Sequence, residues 1–277
     1  MAEENIKGTI ITLFSTASAV GKTLVGCNLA SEIAAQGARV CLVDLDLQFG
    51  DVCNYLKLNP RVTIADAQQS MNVQGSSLDV RDFLTPYMHG TTTFHVMAAP
   101  TKLEDAYNMS PKTIKEILQK LQTSFDYLIV DTTSMFSVVN LSLMDLSTIV
   151  MFLGIVDFIP TIKNMKIGSD TLKNLNYDKQ KIRIILNRSD AKTRIGFNDV
   201  EKLMGAHFDF VLPNDFAAAS KSIQTGVPLV LERTASNLGD SLKVLVSRYT
   251  NKALRTTAND DYGDGEKGGG WFSRLFG

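Results

Sequence analysis

The segment Phe14-Ser-Thr-Ala-Ser-Ala-Val-Gly-Lys-Thr23 says most about this 277-residue chain. The apolar residues 8–14 before it predict a strand, and residues 24–35 after it predict a helix. A strand, a turn of small residues ending in Gly-Lys-Thr, and a helix are the layout of a phosphate-binding loop. In such a loop, backbone N–H groups and the positive end of the helix dipole surround phosphate oxygens. Lys22 then reaches the β- and γ-phosphates, and the Thr23 hydroxyl binds Mg²⁺.

Two acidic motifs at predicted strand ends support this interpretation. In Arg39-Val-Cys-Leu-Val-Asp-Leu-Asp46, an apolar run predicts a buried parallel strand that ends in a pair of carboxylates on one face. In Tyr127-Leu-Ile-Val-Asp131, a second run ends in the form of a Walker B carboxylate, which holds Mg²⁺ directly or through water. A single strand-end aspartate is more often a helix cap or turn residue. Three motifs in the correct order favour nucleotide binding.

Together these motifs resemble the MinD/ParA family of P-loop ATPases, whose variant Walker A motif reads K-G-G-x-G-K-[ST]. Aligned on Gly21-Lys22-Thr23, the Asp-x-Asp of the family's switch region falls on Asp44 and Asp46, and its Walker B aspartate falls on Asp131. The resemblance covers residues 7 to about 250. It implies ATP and Mg²⁺ as ligands and a homodimer that forms with nucleotide.

The resemblance also predicts a role for each site residue. Asp46 is the candidate that positions the attacking water, with Lys22 as the second catalytic group, and Asp51 belongs either to a mobile loop or to an ordinary turn. Magnesium ligands are expected among Thr23, Asp44 and Asp131. Nucleotide contacts are expected from Ser18, Ala19, Val20, Gly21, Lys22, Thr23, Leu24, Asn187, Pro213 and Asp215. Asn187 is a candidate for the adenine edge, because an amide matches a donor and acceptor pair; the alternative is a strand-end turn residue.

Four loop positions depart from the family's pattern. Thr16 stands where G-x-x-x-x-G-K-[ST] has its first glycine, and Ala17 stands where the family has its signature lysine. Ser18 and Ala19 replace two glycines, and side chains there restrict positive φ. In the family the signature lysine crosses the dimer to the partner's phosphates. Its loss predicts ATP binding with slow hydrolysis, or a pseudo-ATPase whose nucleotide only holds a dimer together.

Within the family, the segment from Asp44 to Asp51 (Asp-Leu-Asp-Leu-Gln-Phe-Gly-Asp) is most similar to the CpaE/TadZ branch. Thr63-Ile-Ala-Asp-Ala67 and Gly226-Val-Pro-Leu-Val230 fit the same branch. That branch comprises localisation ATPases of type IV (Tad/Flp) pilus assembly, so the resemblance implies pilus-assembly proteins as partners. A MinD-type division-site regulator and a ParA-type DNA-partitioning ATPase are the alternatives.

Apolar runs along the chain predict an α/β fold. Strand-like runs (9–14, 39–44, 94–98, 127–131, 148–153, 182–186, 208–212) alternate with helix-like runs (23–36, 111–123, 158–175, 197–204, 214–224, 237–254). This alternation predicts a mostly parallel twisted sheet with helices on both faces. Residues 1–254 are expected to form the P-loop domain, residues 255–269 a flexible linker and residues 270–277 a docking tail.

Charge and the terminal composition bear on location. The net charge of −1 argues against a broadly basic nucleic-acid face, and no secretory leader is expected from the acidic start of the chain. In the tail, Trp271, Phe272, Leu275 and Phe276 fall on one side of a helix. An aromatic, amphipathic turn on a flexible linker predicts a membrane-surface anchor, or a tail that docks on a protein. We therefore expect a cytoplasmic protein associated peripherally with the inner face of the membrane.

Overall fold

The computed structural model describes residues 7–157, 159–189 and 197–250. Within them, eight strands form one sheet in the spatial order β3-β4-β2-β5-β1-β6-β7-β8. The strands are β1 (Thr9–Phe14), β2 (Val40–Leu45), β3 (Thr85–His89), β4 (Thr92–Met97), β5 (Tyr127–Thr132), β6 (Ile149–Gly154), β7 (Ile182–Leu186) and β8 (Phe210–Val211). Every pairing is parallel except that of β3 with β4. The predicted mostly parallel sheet is confirmed.

Helices cover both faces of this sheet. They are α1 (Lys22–Ala35), α2 (Val52–Leu56), α3 (Ile64–Gln74), α4 (Leu103–Tyr107), α5 (Pro111–Ser124), α6 (Val138–Leu146), α7 (Ile159–Asn174), α8 (Phe197–Met204), α9 (Phe216–Thr225) and α10 (Asn237–Thr250). Alternate strand residues point to opposite faces. On β5, Ile129 packs in the cluster that contains α1 and α10, whereas Leu128 and Val130 pack with α3 and α5. Two apolar layers therefore fix the sheet between its helices.

Helix α1 lies close to the sheet directly behind the phosphate-binding loop. A Cβ added at Gly26 would lie 2.7 Å from Leu13 Cδ1 and 3.7 Å from Leu42 Cδ1. The absence of a side chain at this position lets the helix approach β1 and β2. The start of α1 is thereby held next to the carboxyl ends of the central strands.

The carboxyl ends of neighbouring parallel strands bring distant acidic residues together. Asp44 of β2 and Asp131 of β5 are register partners on adjacent strands. The segment after Phe14 of β1 leaves the sheet beside them, because β1 is the other neighbour of β5. Ligands of open α/β sheets bind at this edge.

Several elements were absent from the sequence prediction. Edge strand β3 contains Pro86 and is half exposed, so it lacks the buried apolar run by which the other strands were found. The helix α3 begins with a capping box in which the Thr63 side chain accepts from Ala65 N and the Asp66 carboxylate accepts from Thr63 N. The helices α2 and α4 contain five residues each, too few to show a helical repeat in the sequence, and α6 contains nine.

The linker 255–269 and the tail 270–277 lie outside the described residues, as do the tail residues Trp271, Phe272, Leu275 and Phe276. The predicted boundary at residue 254 therefore stays a prediction, and so does the anchor. In the part of the chain that the structure describes, no helix is long and apolar enough to cross a membrane.

Candidate nucleotide-binding site

The turn between β1 and α1 has the backbone shape of a phosphate-binding loop. Gly21 adopts φ 94° at the N-cap of α1, and no side chain caps that end of the helix. The first-turn N–H groups of a helix have no partners within it, so those from Lys22 to Leu24 are available to an anion. Ala19 is also left-handed, with φ 57°, despite its Cβ. This conformation costs a non-glycine residue roughly 1–2 kcal/mol.

The Lys22 ammonium group is held inside the loop. Its Nζ donates to Ser15 Oγ at 3.2 Å and to Ser134 Oγ at 3.0 Å. Both hydroxyls also donate to the carbonyl oxygen of Ala17, at 2.7 and 2.8 Å. Burial lowers the pKa of Lys22, while the nearby Asp131 and Asp46 oppose that shift. The side chain is thus a buried cation at the loop, within a network of neutral oxygens.

Thr23 connects the start of α1 to the end of β5. Its Oγ1 donates to Asp131 Oδ2 at 2.5 Å. The other carboxylate oxygen, Asp131 Oδ1, is buried and has no hydrogen-bond partner. Burial raises the pKa of Asp131 to about 6, although the Thr23 hydrogen bond and Lys22 act in the opposite direction. A buried oxygen without a partner is costly, so this atom is suited to a cation or an ordered water.

Asp44 is fully buried beside Asp131, and both of its oxygens are engaged by backbone. Oδ1 accepts from Asp46 N at 3.2 Å, and Oδ2 accepts from Val52 N at 3.1 Å. Burial raises the pKa of Asp44 well above its ordinary value, and the Asp131 charge adds to that shift. A Cβ at Gly50 would lie 2.5 Å from Asp44 Oδ2. Asp44 therefore stabilises the loop between β2 and α2 through hydrogen bonds to its backbone. Its role as a magnesium ligand stays a prediction.

Asp46 lies half-buried near the loop lysine, since its charge acts on both Lys22 and Asp131. This position is compatible with the predicted water-positioning role, which stays a prediction. Asp51 is exposed, and its Oδ1 accepts from Asn54 Nδ2 at 3.1 Å. Asp51 is the N-cap residue of α2, although its side chain does not accept from the first-turn N–H groups of that helix.

The loop after β7 reaches the phosphate-binding turn from the other side. Asn187 Nδ2 donates to Val20 O at 2.9 Å, and Arg188 Nη2 donates to Ala19 O at 3.2 Å. Asn187 Oδ1 accepts from Arg188 N at 2.9 Å, so both polar ends of the amide already have partners. Contact between Asn187 and adenine stays a prediction, while contact with the turn is observed.

Pro213 and Asp215 lie between β8 and α9, both half-buried. The Asp215 carboxylate accepts from Ala218 N at 3.0 Å and caps α9. This side chain stabilises a helix start, which is the ordinary role of such an aspartate. Contacts of Pro213 and Asp215 with a nucleotide remain predictions.

Three buried side-chain oxygens lack partners, and all three lie near one edge of the sheet. Within the described residues they are Thr16 Oγ1, Asp131 Oδ1 and Asp157 Oδ1. They follow or end β1, β5 and β6, which are neighbours in the order β5-β1-β6. Oxygen donors of this kind fit Mg²⁺, which is commonly bound through one or two protein groups plus substrate phosphates. In the described residues no cluster of three His, Cys, Asp or Glu is placed to hold a metal ion by itself.

Sequence reasoning missed Ser15, Ser134 and Arg188. The two hydroxyls that directly follow Asp131 make other contacts: Thr132 Oγ1 donates to Leu13 O at 2.6 Å, and Thr133 Oγ1 accepts from Asn140 Nδ2 at 2.9 Å. The next hydroxyl, Ser134, makes the loop contact. Only its position just after the Walker B strand could have pointed to it.

Replacing Asp131 with Asn is expected to raise the free energy of unfolding of the metal-free protein at pH 7.5. The Asp131 pKa of about 6 exceeds the value of about 4 for an unfolded aspartate, so the native state binds this proton more tightly. The contribution of Asp131 to stability therefore falls as pH rises between these values. The difference in the free energy of unfolding between Asp131→Asn and wild type should be absent below about pH 4. Above about pH 7 it should be constant, at roughly 1–3 kcal/mol in favour of the variant.

Urea unfolding with a chelator at pH 4–8 measures this difference. The exposed carboxylate Asp199, replaced by Asn, is the matched control and should change stability little at any pH. Equal stability of wild type and Asp131→Asn above pH 7 would contradict the assignment of Asp131 as an uncompensated buried carboxylate.

Comparison with known proteins gives the family. A family model described as "AAA domain" matches residues 8–166, more than half of the chain. The septum site-determining protein MinD of Bacillus subtilis is 30% identical over 124 residues, which are 45% of this chain and 44% of the relative. The corresponding MinD of Thermotoga maritima is 22% identical over 231 residues, 81% of this chain and 82% of the relative.

Solved structures agree with the fold. A ParA family ATPase from Chlorobium tepidum has a TM-score of 0.78 at 19% identity and covers 87% of this chain and 98% of its own. The septum site-determining protein MinD of Pyrococcus horikoshii, solved with Mg-ADP, has a TM-score of 0.74 at 19% identity. The match covers 89% of this chain and 97% of the MinD chain. With the motifs in place at one sheet edge, these findings establish that the chain belongs to the MinD/ParA family of P-loop ATPases.

Proposed function

We propose that this protein is an ATP-binding, slowly hydrolysing localisation ATPase that dimerises with nucleotide and positions type IV (Tad/Flp) pilus assembly machinery at the membrane or cell pole. ATP with Mg²⁺ is its ligand. The observation that carries the nucleotide site is Asp131 Oδ1, a buried oxygen without a partner on the carboxylate that accepts from Thr23. Thr23 and Asp131 hold Mg²⁺ in this proposal, with Asp44 stabilising the adjoining loop.

Slow turnover follows from position 17. In the family scheme a lysine there acts across the dimer, and Ala17 carries no charge. Loss of a cation that acts in trans on a transferring phosphate costs on the order of 10³–10⁵ in rate, by analogy with arginine fingers. Binding is less affected, because Lys22 and the amides of the turn remain. The second candidate is a pseudo-ATPase that uses nucleotide only to hold the dimer.

The pilus role is supported by the segment that resembles the CpaE/TadZ branch. Gly50 is required beside Asp44, where a Cβ would meet the carboxylate, and Thr63 with Asp66 starts α3. These branch-like residues thus support the site edge and the helix next to it. MinD-type division control and ParA-type partitioning are the alternatives, the latter disfavoured by the net charge of −1.

Membrane residence in the proposal depends on two weak tails per dimer. Each apolar side chain gains at most about 1.5–3 kcal/mol when fully buried, and interfacial burial is partial. A single tail therefore binds reversibly, as one lipid chain does. Joining two tails in a nucleotide-bound dimer can raise avidity by about 10²–10⁴. ATP would then switch the protein between the cytoplasm and the inner face of the membrane.

Lys22→Ala is expected to weaken Mg-ATP binding at least about tenfold in titration calorimetry. The variant loses a charge-assisted contact to phosphate, typically about 1.5–3 kcal/mol. The exposed Lys115, replaced by Ala on α5, is the matched control and should bind as wild type does. Phosphate release by wild type should be slow. No binding of any purine nucleotide by wild type, or fast release that Lys22→Ala abolishes, would each contradict part of the proposal.

A chain that ends at Gly269 is expected to pellet less with anionic liposomes than the full-length protein, and the difference should grow with ATP. The reason is that truncation removes the apolar side chains of the tail, Trp271, Phe272, Leu275 and Phe276. In the full-length protein, each dimer formed with ATP carries two such tails. Co-sedimentation with ATP, with ADP and without nucleotide measures the effect. Equal pelleting of both chains excludes the membrane role of the tail.

Deletion of the gene in its host separates the pilus role from its alternatives. The proposal expects loss of surface pili and dispersal of the pilus machinery, with division and plasmid inheritance unchanged. Misplaced septa would favour the division role, and plasmid loss would favour partitioning.

A further inference from the structure

Two consecutive residues after β7 contact two consecutive carbonyl groups of the phosphate-binding turn. Asn187 Nδ2 donates to Val20 O at 2.9 Å, and Arg188 Nη2 donates to Ala19 O at 3.2 Å. The partners are 167 and 169 residues apart in sequence, so the contacts exist only in the folded chain. We call Asn187 and Arg188 the carbonyl clamp.

Backbone hydrogen bonds fix the clamp residues to the neighbouring strands. Asn187 is only 5% exposed, and its backbone N–H donates to Gly154 O at 2.8 Å. Ser189 N donates to Leu212 O at 3.1 Å, which connects the same loop to the residue after β8. The clamp residues are also joined to each other, because Arg188 N donates to Asn187 Oδ1.

The turn that the clamp contacts contains a residue in a strained conformation. Ala19 adopts φ 57°, where a β-carbon is unfavourable and where the family's pattern has glycine. Strained backbone of this kind persists when the surrounding structure determines it. Gly21 lies against the clamp as well, since a Cβ there would come within 2.6 Å of Asn187 Nδ2.

We propose that Asn187 and Arg188 are positioning residues that hold the Ala19 and Val20 carbonyls away from the site, so that the amides of the turn face the triphosphate. A peptide whose C=O is fixed outward has its N–H directed inward, and inward N–H groups are what a phosphate requires. The clamp supplies the loop geometry that glycine supplies elsewhere. This inference rests on the proposed nucleotide site and assigns Asn187 to the phosphate-binding turn instead of the adenine base.

Titration calorimetry with Mg-tripolyphosphate and with Mg-ATP tests the clamp, because tripolyphosphate has no base. The double variant Asn187→Ala/Arg188→Ala should bind both ligands about tenfold more weakly than wild type, as two lost hydrogen bonds imply. Adding Ala19→Gly should restore most of that loss, because glycine adopts positive φ without support. The gain in affinity that Ala19→Gly gives should be larger in the double variant than in the wild-type background, where the clamp already holds the turn. Such non-additivity is the signature of coupled residues.

Controls keep a general loss of structure apart from loss of the clamp. Arg39→Ala removes an exposed arginine before β2, at the opposite edge of the sheet, and should bind as wild type does. Thermal unfolding without ligand should show that the double variant is folded. If the double variant is unfolded, Arg188→Ala alone is compared with Arg188→Ala/Ala19→Gly. The single variant should then bind both ligands about threefold more weakly than wild type, and Ala19→Gly should restore most of that affinity.

Each contrary result has its own meaning. If wild type binds neither ligand, the nucleotide site and the clamp both fail. If wild type binds and the double variant binds equally well, only the clamp fails. A loss confined to ATP identifies Asn187 as a base contact and overturns the clamp. A loss for both ligands that Ala19→Gly does not restore identifies Arg188 as a simple charge and overturns it too.

Discussion

The hydrogen bond from Thr23 Oγ1 to Asp131 Oδ2 connects the two halves of the site, the start of α1 and the end of β5. It leaves Asp131 Oδ1 buried without a partner, beside a second buried carboxylate on the neighbouring strand. Burial raises the pKa values of both Asp44 and Asp131, and the Asp131 charge raises that of Asp44 further. The protein retains this destabilising pair, and a bound cation would offset it.

Residues far away in the sequence contact the phosphate-binding turn. Residues 17–19 of the turn are Ala-Ser-Ala, so this part of the turn contains neither a glycine nor a cationic side chain. Two residues distant in sequence donate hydrogen bonds to carbonyl groups of the turn: Ser134 to Ala17 O and Arg188 to Ala19 O. Contacts that hold the loop in this way support the proposed nucleotide binding with slow hydrolysis.

Much of the fold could be predicted from the sequence, because buried parallel strands appear as apolar runs and their ends carry the motif residues. Asp44 and Asp131 were found in this way, as was the Gly21-Lys22-Thr23 turn. The edge strand β3, with Pro86, and the short helices lack such runs and were missed. Ser134 and Arg188 were missed for a different reason. They act across 112 and 169 residues, and no local pattern marks a residue whose role is set by tertiary contact.

We expect the amides of the turn, Lys22 and the Thr23–Asp131 pair to bind a magnesium-bound triphosphate. A crystal structure with Mg²⁺ and a non-hydrolysable ATP analogue measures this most directly. The β-phosphate should lie within hydrogen-bond distance of the backbone N–H groups from Val20 to Lys22, with the metal on Thr23 Oγ1 and close to Asp131 Oδ1. A nucleotide bound elsewhere, or a turn that stays closed around Lys22 at saturating ligand, would contradict it.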